Sequence, residues 1–403
     1  MLTRRSAVTG GAAALGLVPA RLKAQAPAAP IRIGVLEDMS GVFSDLGGPS
    51  TVVAAQMAVE DFGGSVLGRK IEILGGDHQN KPDIGVSIAR EWYDVQQVSL
   101  ITGLTNSAVA LGVQKLTADK GRINIVQNAA TDALIEGSCS PNGIVWNWIA
   151  RSIVKSTVEQ TIRSGGRSWY FIVSDYAGGR VMEDEAAPVI KAAGGAVIGV
   201  TRPPVGQPDF ASYLLSAQSS GAQILGVVTY GQDFANLLKQ AVEFGVTPGM
   251  RLIAPFVFHS DLRAVGPTAV QGMIVAAPFY WDLNPETRAW SARFRQRTKR
   301  APDVGHAGTY NAVTHYLKSV RAAGTVETEP ALAAMRATAI DDMSTKSGRI
   351  RRDGMVEREI FLFEGKRPGE SKDPWDLLRQ IGTVPRAEAF PIPADPKCAL
   401  LRS

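Results

Sequence analysis

Four histidines, His78, His259, His306 and His315, and two cysteines, Cys139 and Cys398, carry the side chains best suited to metal or nucleophilic chemistry in this 403-residue chain. Their spacing serves neither. No H-x-x-x-H or H-x-x-E-H pair sets two imidazoles on one helix face, so no metal site is expected. No G-x-S-x-G elbow raises a serine at a strand–turn–helix corner. His259-Ser260-Asp261 holds the three side-chain types of a hydrolase triad, but sequence neighbours point different ways, and His259 reads as a structural or cleft histidine. Neither G-x-G-x-x-G after an early strand nor G-x-x-x-x-G-K-[ST] occurs, so no cofactor is expected. Gly47-Gly48-Pro49-Ser50 opens a helix and reads equally as an anion cradle or a plain proline start. Glu183-Asp184-Glu185 reads as a solvated helix face.

The chemistry on offer is non-covalent. In open α/β sheets, ligands sit beyond the carboxyl ends of strands, at the N-termini of the following helices. The junctions of the first half are Glu37 to Ser44, Asp77 to Asn80, Leu104 to Ser107 and Asn128 to Thr131, rich in hydroxyls and amides. With exposed helix N–H groups, such residues suit a carboxylate. The second-half junctions are aromatic: Ser174-Asp175-Tyr176-Ala177, Thr229-Tyr230-Gly231-Gln232 and Phe256-Val257-Phe258-His259. A polar wall and a ringed wall would clamp a small acid between them. The candidate ligand-binding residues are Phe43, His78, Thr105, Asn106, Ser107, Ala129, Ala130, Thr131, Asp175, Tyr176, Tyr230 and Phe256.

The elements that must position these junctions alternate along the chain. Apolar runs at Ile31–Glu37, Lys70–Gly75, Ser99–Leu104, Ile123–Asn128, Trp169–Ser174, Ala196–Val200, Ile224–Thr229, Arg251–Pro255 and Met273–Ala277 read as strands. Helical patterns lie between them over Pro49–Phe62, Pro82–Gln97, Ala108–Lys120, Ile149–Ser164, Gly178–Ala193, Phe210–Ser219 and Phe234–Phe244. Apolar strands separated by helices imply βαβ units and parallel sheets covered on both faces. Two runs of this alternation, divided near residue 148, predict an α/β fold of two similar lobes. Ser347–Phe363 reads as a hairpin turning at Arg352-Asp353-Gly354. The six prolines beyond Lys366 predict an extended tail on the surface.

A composition of 45% hydrophobic and 20% charged residues excludes a disordered chain. The excess of 43 basic over 38 acidic residues suggests nucleic acid. Yet Arg4, Arg5, Arg21 and Lys23 fall in the first 26 residues, which hold no acid, and the remainder is nearly balanced. No nucleic-acid partner is expected. Residues 1–26 read as an export signal: Arg4-Arg5, a weakly apolar stretch from Ala7 to Ala20, and Ala24-Gln25-Ala26 as an A-x-A cleavage pattern. Twin-arginine and general secretion both fit. An even cysteine count in an oxidising compartment favours a Cys139–Cys398 disulfide over two buried thiols or a metal pair.

Several segments resemble the branched-chain amino-acid-binding family of ABC-transporter periplasmic receptors. They include Ile31 to Gly41, Ala54 to Asp61, Asp77 to Lys81, Asp175-Tyr176-Ala177, Asp209 to Ser212 and Lys239 to Gly245. Phe279 to Asp282, Gly308 to Val313 and Glu370 to Asp376 continue the match in order over the mature chain. The resemblance implies a type I periplasmic-binding-protein fold, two Rossmann-like lobes with parallel central sheets joined by a three-segment hinge. The lobes would comprise 27–148 plus 277–347 and 149–276 plus 348–366, with 367–403 as the tail. It matches Thr105 and Ser107 to carboxylate-binding hydroxyls, Ala129 and Thr131 to a second carboxylate junction, and Tyr176 and Tyr230 to an aromatic wall. The segment Phe256 to His259 departs from the family: amino-acid binders place there an acid for the ligand's ammonium, and none is present. A carboxylate without an α-amino group is therefore the expected ligand.

These readings converge on a monomeric, exported solute receptor with no enzymatic activity, which closes on a small molecule and delivers it to an inner-membrane ABC permease. A ligand sensor of the same fold and an exported amide or ester hydrolase are the alternatives.

Overall fold

The computed structural model describes residues 1, 28–41, 43–175, 177–247 and 249–402. The expected export signal and Tyr176 lie outside the described residues. The first half holds β1 (Ile31–Glu37), α1 (Gly48–Phe62), β2 (Ser65–Val66), β3 (Arg69–Asp77), α2 (Pro82–Asp94), β4 (Val98–Gly103), α3 (Ser107–Asp119), β5 (Ile123–Val126) and β6 (Gly143–Val145). Then come α4 (Ala150–Arg163), β7 (Ser168–Val173), α5 (Ala177–Ala192), β8 (Ala196–Thr201), α6 (Ala211–Ser219), β9 (Ile224–Val228), α7 (Gly231–Glu243) and β10 (Arg251–Ile253). Two short helices, α8 (His259–Val265) and α9 (Pro267–Val270), lead to β11 (Ile274–Ala277). The chain continues through α10 (Pro285–Thr298), α11 (Val304–Ala323), α12 (Thr328–Ala337), β12 (Arg349–Ile350) and β13 (Val356–Glu357). It ends with β14 (Ile360–Gly365), β15 (Leu378–Val384) and α13 (Arg386–Ala389).

Strands β2-β3-β1-β4-β5-β6 form one sheet, parallel except where β2 meets β3. Strands β10-β9-β7-β8 form a second, wholly parallel sheet. Burial explains the sequence pattern. β4 and β5 are buried at every position, as strands covered on both faces must be. Gly34 stands in β1 because an added Cβ would collide with the Trp92 ring packed against it. Helices α1 and α11 lie together on the first sheet, where the Tyr310 hydroxyl donates to Asp61 at 2.7 Å.

The chain passes between the lobes at three places. Trp148 and Ile149 join β6 to α4, and the stretch after β11 returns the chain to α10. The third passage follows β13. The expected hairpin over 347–363 is shorter than read: Arg349–Ile350 pairs with Val356–Glu357 around the Arg352-Asp353-Gly354 turn. Met355 bridges Val145, and Ile350 and Val356 sit in the first lobe's core. The chain then turns at Arg358-Glu359 into β14, which pairs with β11 and β15. The hairpin thus ends at Glu357, because the residues that follow it are claimed by another sheet. Residues 367–403 contribute β15 to this antiparallel sheet, and Cys398 is joined to Cys139 by a disulfide.

Candidate functional site

The polar wall is built where β4 meets α3. Gly103 and Leu104 both take positive φ, at 98° and 65°, the second a conformation that leucine adopts only under constraint. This turn sets Thr105 over the end of β1, where its N–H donates to Glu37 Oε2 at 3.3 Å. Asn106 caps α3: its Oδ1 accepts from Ala108 and Val109 at 2.8 and 3.0 Å, and its carbonyl accepts from Ala110. Its amide also donates to Asn80 Oδ1. Of the N–H groups that open the helix, capping leaves that of Ser107. Thr105 Oγ1 is buried and has no partner among the described residues. A hydroxyl and an N–H left over at a helix start are carboxylate-binding chemistry.

The second junction follows β5. Gln127 ties it to the first turn by accepting the Gly103 N–H at 2.7 Å. Asn128 is buried, and neither its Oδ1 nor its Nδ2 finds a partner among the described residues. Ala129 is buried and Ala130 half-buried, and Thr131 accepts the Ala133 N–H at 3.4 Å as the cap of a short 3-10 turn. Asp132 reaches the first passage, accepting the Ala150 N–H at 2.8 Å. Burial pushes its carboxyl up to about 6, against the pull of Arg151.

The remaining first-lobe candidates lie behind this surface. His78 is fully buried and accepts the Asn80 N–H on Nδ1 at 3.0 Å. Burial holds its imidazole below the usual range, so it is neutral and acts as a loop brace. Phe43 is half-buried, with its N–H bound to the Asp38 carboxylate at 3.0 Å.

Aromatic rings form the facing wall. Phe256 packs on Trp148 at 4.4 Å between centroids, on Phe258 at 4.7 Å and on Tyr230 at 6.2 Å. One apolar cluster holds Trp148, Ala129, Phe256 and Phe258, with Phe43, Ala130 and Tyr230 packed against it, so residues of both lobes share it. Asp175 is exposed and paired with Arg180 at 2.7 Å. A cavity of about 30 Å³ lies behind the rings, bordered by Trp148, Phe256, Phe258 and Asp303. It has room for a water molecule or so and not for an organic acid.

Sequence reasoning passed over Glu37 and Asn128, although both stand in junctions it named. A carboxyl ending an apolar strand run was the available signal for Glu37. Trp148 and Phe258 carried none beyond their ring type. The triplet at 259–261 is not a triad. His259 Nε2 bonds the Trp375 carbonyl at 2.9 Å, while the Ser260 hydroxyl donates to Asp303 at 3.3 Å. Asp261 is buried and its carboxyl is pushed up to about 7 by burial first and by Asp303 second.

Two parallel-sheet lobes, three passages between them, and a polar turn opposed by stacked rings define a hinged small-molecule-binding protein. The profile described as "Periplasmic binding protein" matches residues 30–372, and the chain belongs to that family. A periplasmic binding protein from Burkholderia mallei is 40% identical, with a TM-score of 0.86 over 92% of this chain and 99% of the other. A branched-chain amino acid ABC transporter periplasmic ligand-binding protein from Burkholderia xenovorans LB400 is 33% identical, with the same TM-score and coverage. An R. palustris ABC-transporter solute-binding protein in complex with benzoate shares the fold at 21% identity and a TM-score of 0.78, over 92% of this chain and 99% of the other. No curated protein matches the chain. No helix of the described residues is long and apolar enough to cross a membrane.

Proposed function

We propose that this chain is the exported receptor of an ABC importer, which captures a small carboxylate, an aromatic acid foremost, and hands it to a membrane permease. The observation that carries the reading is the pairing of spare donors at Thr105 and Ser107 with the ring cluster of Trp148, Tyr230 and Phe256. The carboxylate would bind the turn and the ring would lie against the aromatic wall. Closure needs no covalent chemistry, only a ligand that binds the closed form better than the open one. Solute-binding relatives of the fold hold benzoate, 4-hydroxybenzoate and 3,4-dihydroxybenzoate, all acids without an amino group.

Nothing in Phe256 to His259 would neutralise an ammonium. Asp261, next along, is buried with a carboxyl near neutrality, and is a poor counter-ion for one. The same reading takes 1–26 as a cleaved leader, the periplasm as the compartment, a monomer as the working form, and lobes of 27–148 plus 277–347 and 149–276 plus 348–366, except that the hairpin over 349–357 goes with the first lobe, against which it packs. Tyr176 and Asp175 would border the ring side of the cleft and Asn106, Ala129, Ala130 and Thr131 the polar side.

A thermal-shift screen of the ligand-stripped mature protein tests it, with amino acids, aromatic acids, short organic acids and amides as probes. A ligand at 100 times its Kd adds ~2.7 kcal/mol of stability. A shift with benzoate-like acids, lost in Thr105→Ala/Ser107→Ala, is the expected result. A shift with leucine-like amino acids alone would overturn the ligand class.

A further inference from the structure

Glu37 lies directly beneath the proposed carboxylate turn, and its surroundings are unusual for an acid. It is 1% exposed. Its Oε2 accepts the Thr105 N–H, and backbone closes around the rest: a Cβ added at Gly47 would lie 2.5 Å from Oε2, and one at Gly103 2.9 Å from Oε1. The charge that acts on it is that of Asp38, another acid.

The groups around it offer no compensation. Asp38 is engaged by the N–H groups of Gly41 and Phe43 at 2.8 and 3.0 Å. Beyond the end of β3, Asp77 is held below the usual carboxylate range by the N–H groups of Gln79 and Met39 and the Ser40 hydroxyl, in spite of burial, and His78 is neutral. Ahead of α1, Asp45 is paired with Arg300 at 2.8 Å. From α11, His306 bonds the Gly47 carbonyl at 3.2 Å, its imidazole pushed down to about 4 by burial. Burial, opposed by the Thr105 side chain and N–H, pushes Glu37 itself up to about 7.

We propose that Glu37 couples ligand capture to proton uptake and selects the ligand's head group: a carboxylate settles on the Thr105–Ser107 turn only when Glu37 carries its proton. An ionised Glu37 would set a second negative charge behind the turn, in a medium where such charges repel strongly. The proton comes from solvent and remains on the Glu37 carboxyl while the ligand is held. Glu37 occupies the Thr105 N–H, so what remains for the ligand is the Ser107 turn and the Thr105 hydroxyl, which also acts on Glu37. The inference rests on the assignment of that turn to a carboxylate.

Calorimetric titration with benzoate from pH 6 to 8.5, in two buffers of different protonation enthalpy, tests it. The wild type should take up close to one proton per benzoate at pH 8, its Kd rising toward tenfold per pH unit above about 7. Glu37→Gln keeps the shape and the acceptor, so it should bind at pH 8 as tightly as the wild type at pH 6, with a flat profile. Asp261→Asn, which removes the other carboxyl held near 7 at the cleft, should keep the wild-type slope. Equal slopes in the wild type and Glu37→Gln, or a flat wild-type profile, would overturn the role of Glu37 while benzoate binding weakened by Thr105→Ala/Ser107→Ala still upheld the turn. Benzoate failing to bind at any pH, or binding regardless of Thr105→Ala/Ser107→Ala, would overturn the turn assignment and this inference together. A cooperative melt of Glu37→Gln at pH 6, at or above the wild-type temperature, verifies that the variant folds.

Discussion

Asp303 Oδ2 accepts the Ser260 backbone N–H at 3.2 Å, while Asp303 Oδ1 accepts the Val304 N–H at 2.8 Å. One carboxylate therefore caps α11 on the first sheet and holds the first turn of α8 beside the second. If ligand capture draws the two sheets together, this bond is one that the ligand-holding arrangement would keep. Asp303→Asn can keep the cap with its Oδ1 but puts an NH2 donor against the Ser260 N–H, so the bond to α8, worth ~1 kcal/mol, is lost. Ligand affinity should fall about fivefold by calorimetry, with little change in melting temperature. Asp303→Ala should in addition lose ~1 kcal/mol of stability, because the helix start is uncapped.

The Trp375 carbonyl is a second anchor. Tyr280 Oη, Trp281 Nε1 and His259 reach it at 3.1, 2.8 and 2.9 Å, and Tyr280 Oη also accepts the N–H groups of Leu377 and Leu378 at 3.2 Å each. Tyr280→Phe would leave two buried N–H groups unpaired. Chemical denaturation should show a loss of 1–3 kcal/mol, within the range of about that size for orphaned buried groups. A loss within error would mean that water or a shift of the tail replaces the hydroxyl.

The Cys139–Cys398 bond ties residues 259 apart in sequence. Chain-entropy arithmetic sets its worth at up to ~5 kcal/mol, of which strain and residual structure take a share. Reduction, or the double Cys→Ser variant, should lower the melting temperature by several degrees and expose the segment after β15 to proteases. Lys397 would lose its hold on Glu136, now at 2.9 Å, and with it a link into the Arg151 cluster.

Buried carboxyls give stability an unusual pH dependence. Glu37, Asp261 and Asp132 are raised to about 7, 7 and 6, mainly by burial. Each binds a proton in the folded state that the unfolded chain has released, so its contribution is complete below the unfolded carboxylate range and is lost as pH rises through the folded value. His78, His259, His306 and His315 are lowered by burial and act oppositely, losing stability as pH falls below about 6.5. The two sets oppose each other between about pH 4.5 and 6.5, and above that the acids act alone. Melting temperature should therefore drop from pH 6.5 to 7.5. The gap between Glu37→Gln and the wild type should widen with pH from 5 to 8, and a constant gap would mean that Glu37 does not titrate there.

The sequence by itself determined the lobes' layered architecture, because apolar strands and amphipathic helices can bury their faces in few other ways. It also named the Leu104–Ser107 turn and the Asn128–Thr131 turn, since hydroxyls and amides at strand ends are local facts. The pairing of Cys139 with Cys398 followed from parity and compartment. Only the tertiary structure decided what those residues do. Asn106 spends its side chain on capping, His78 is enclosed, and Asp175 faces solvent with Arg180, leaving Thr105, Ser107 and the ring cluster to a ligand. Glu37 became notable because packing, invisible in a string of letters, buried its carboxyl beside Asp38 with no cation against it among the described residues. The same holds for residues 356–365, whose strand character was legible but whose partners were not. Pairing is a contest between distant segments, and there Val356-Glu357 joined the first lobe while Ile360–Gly365 joined the second.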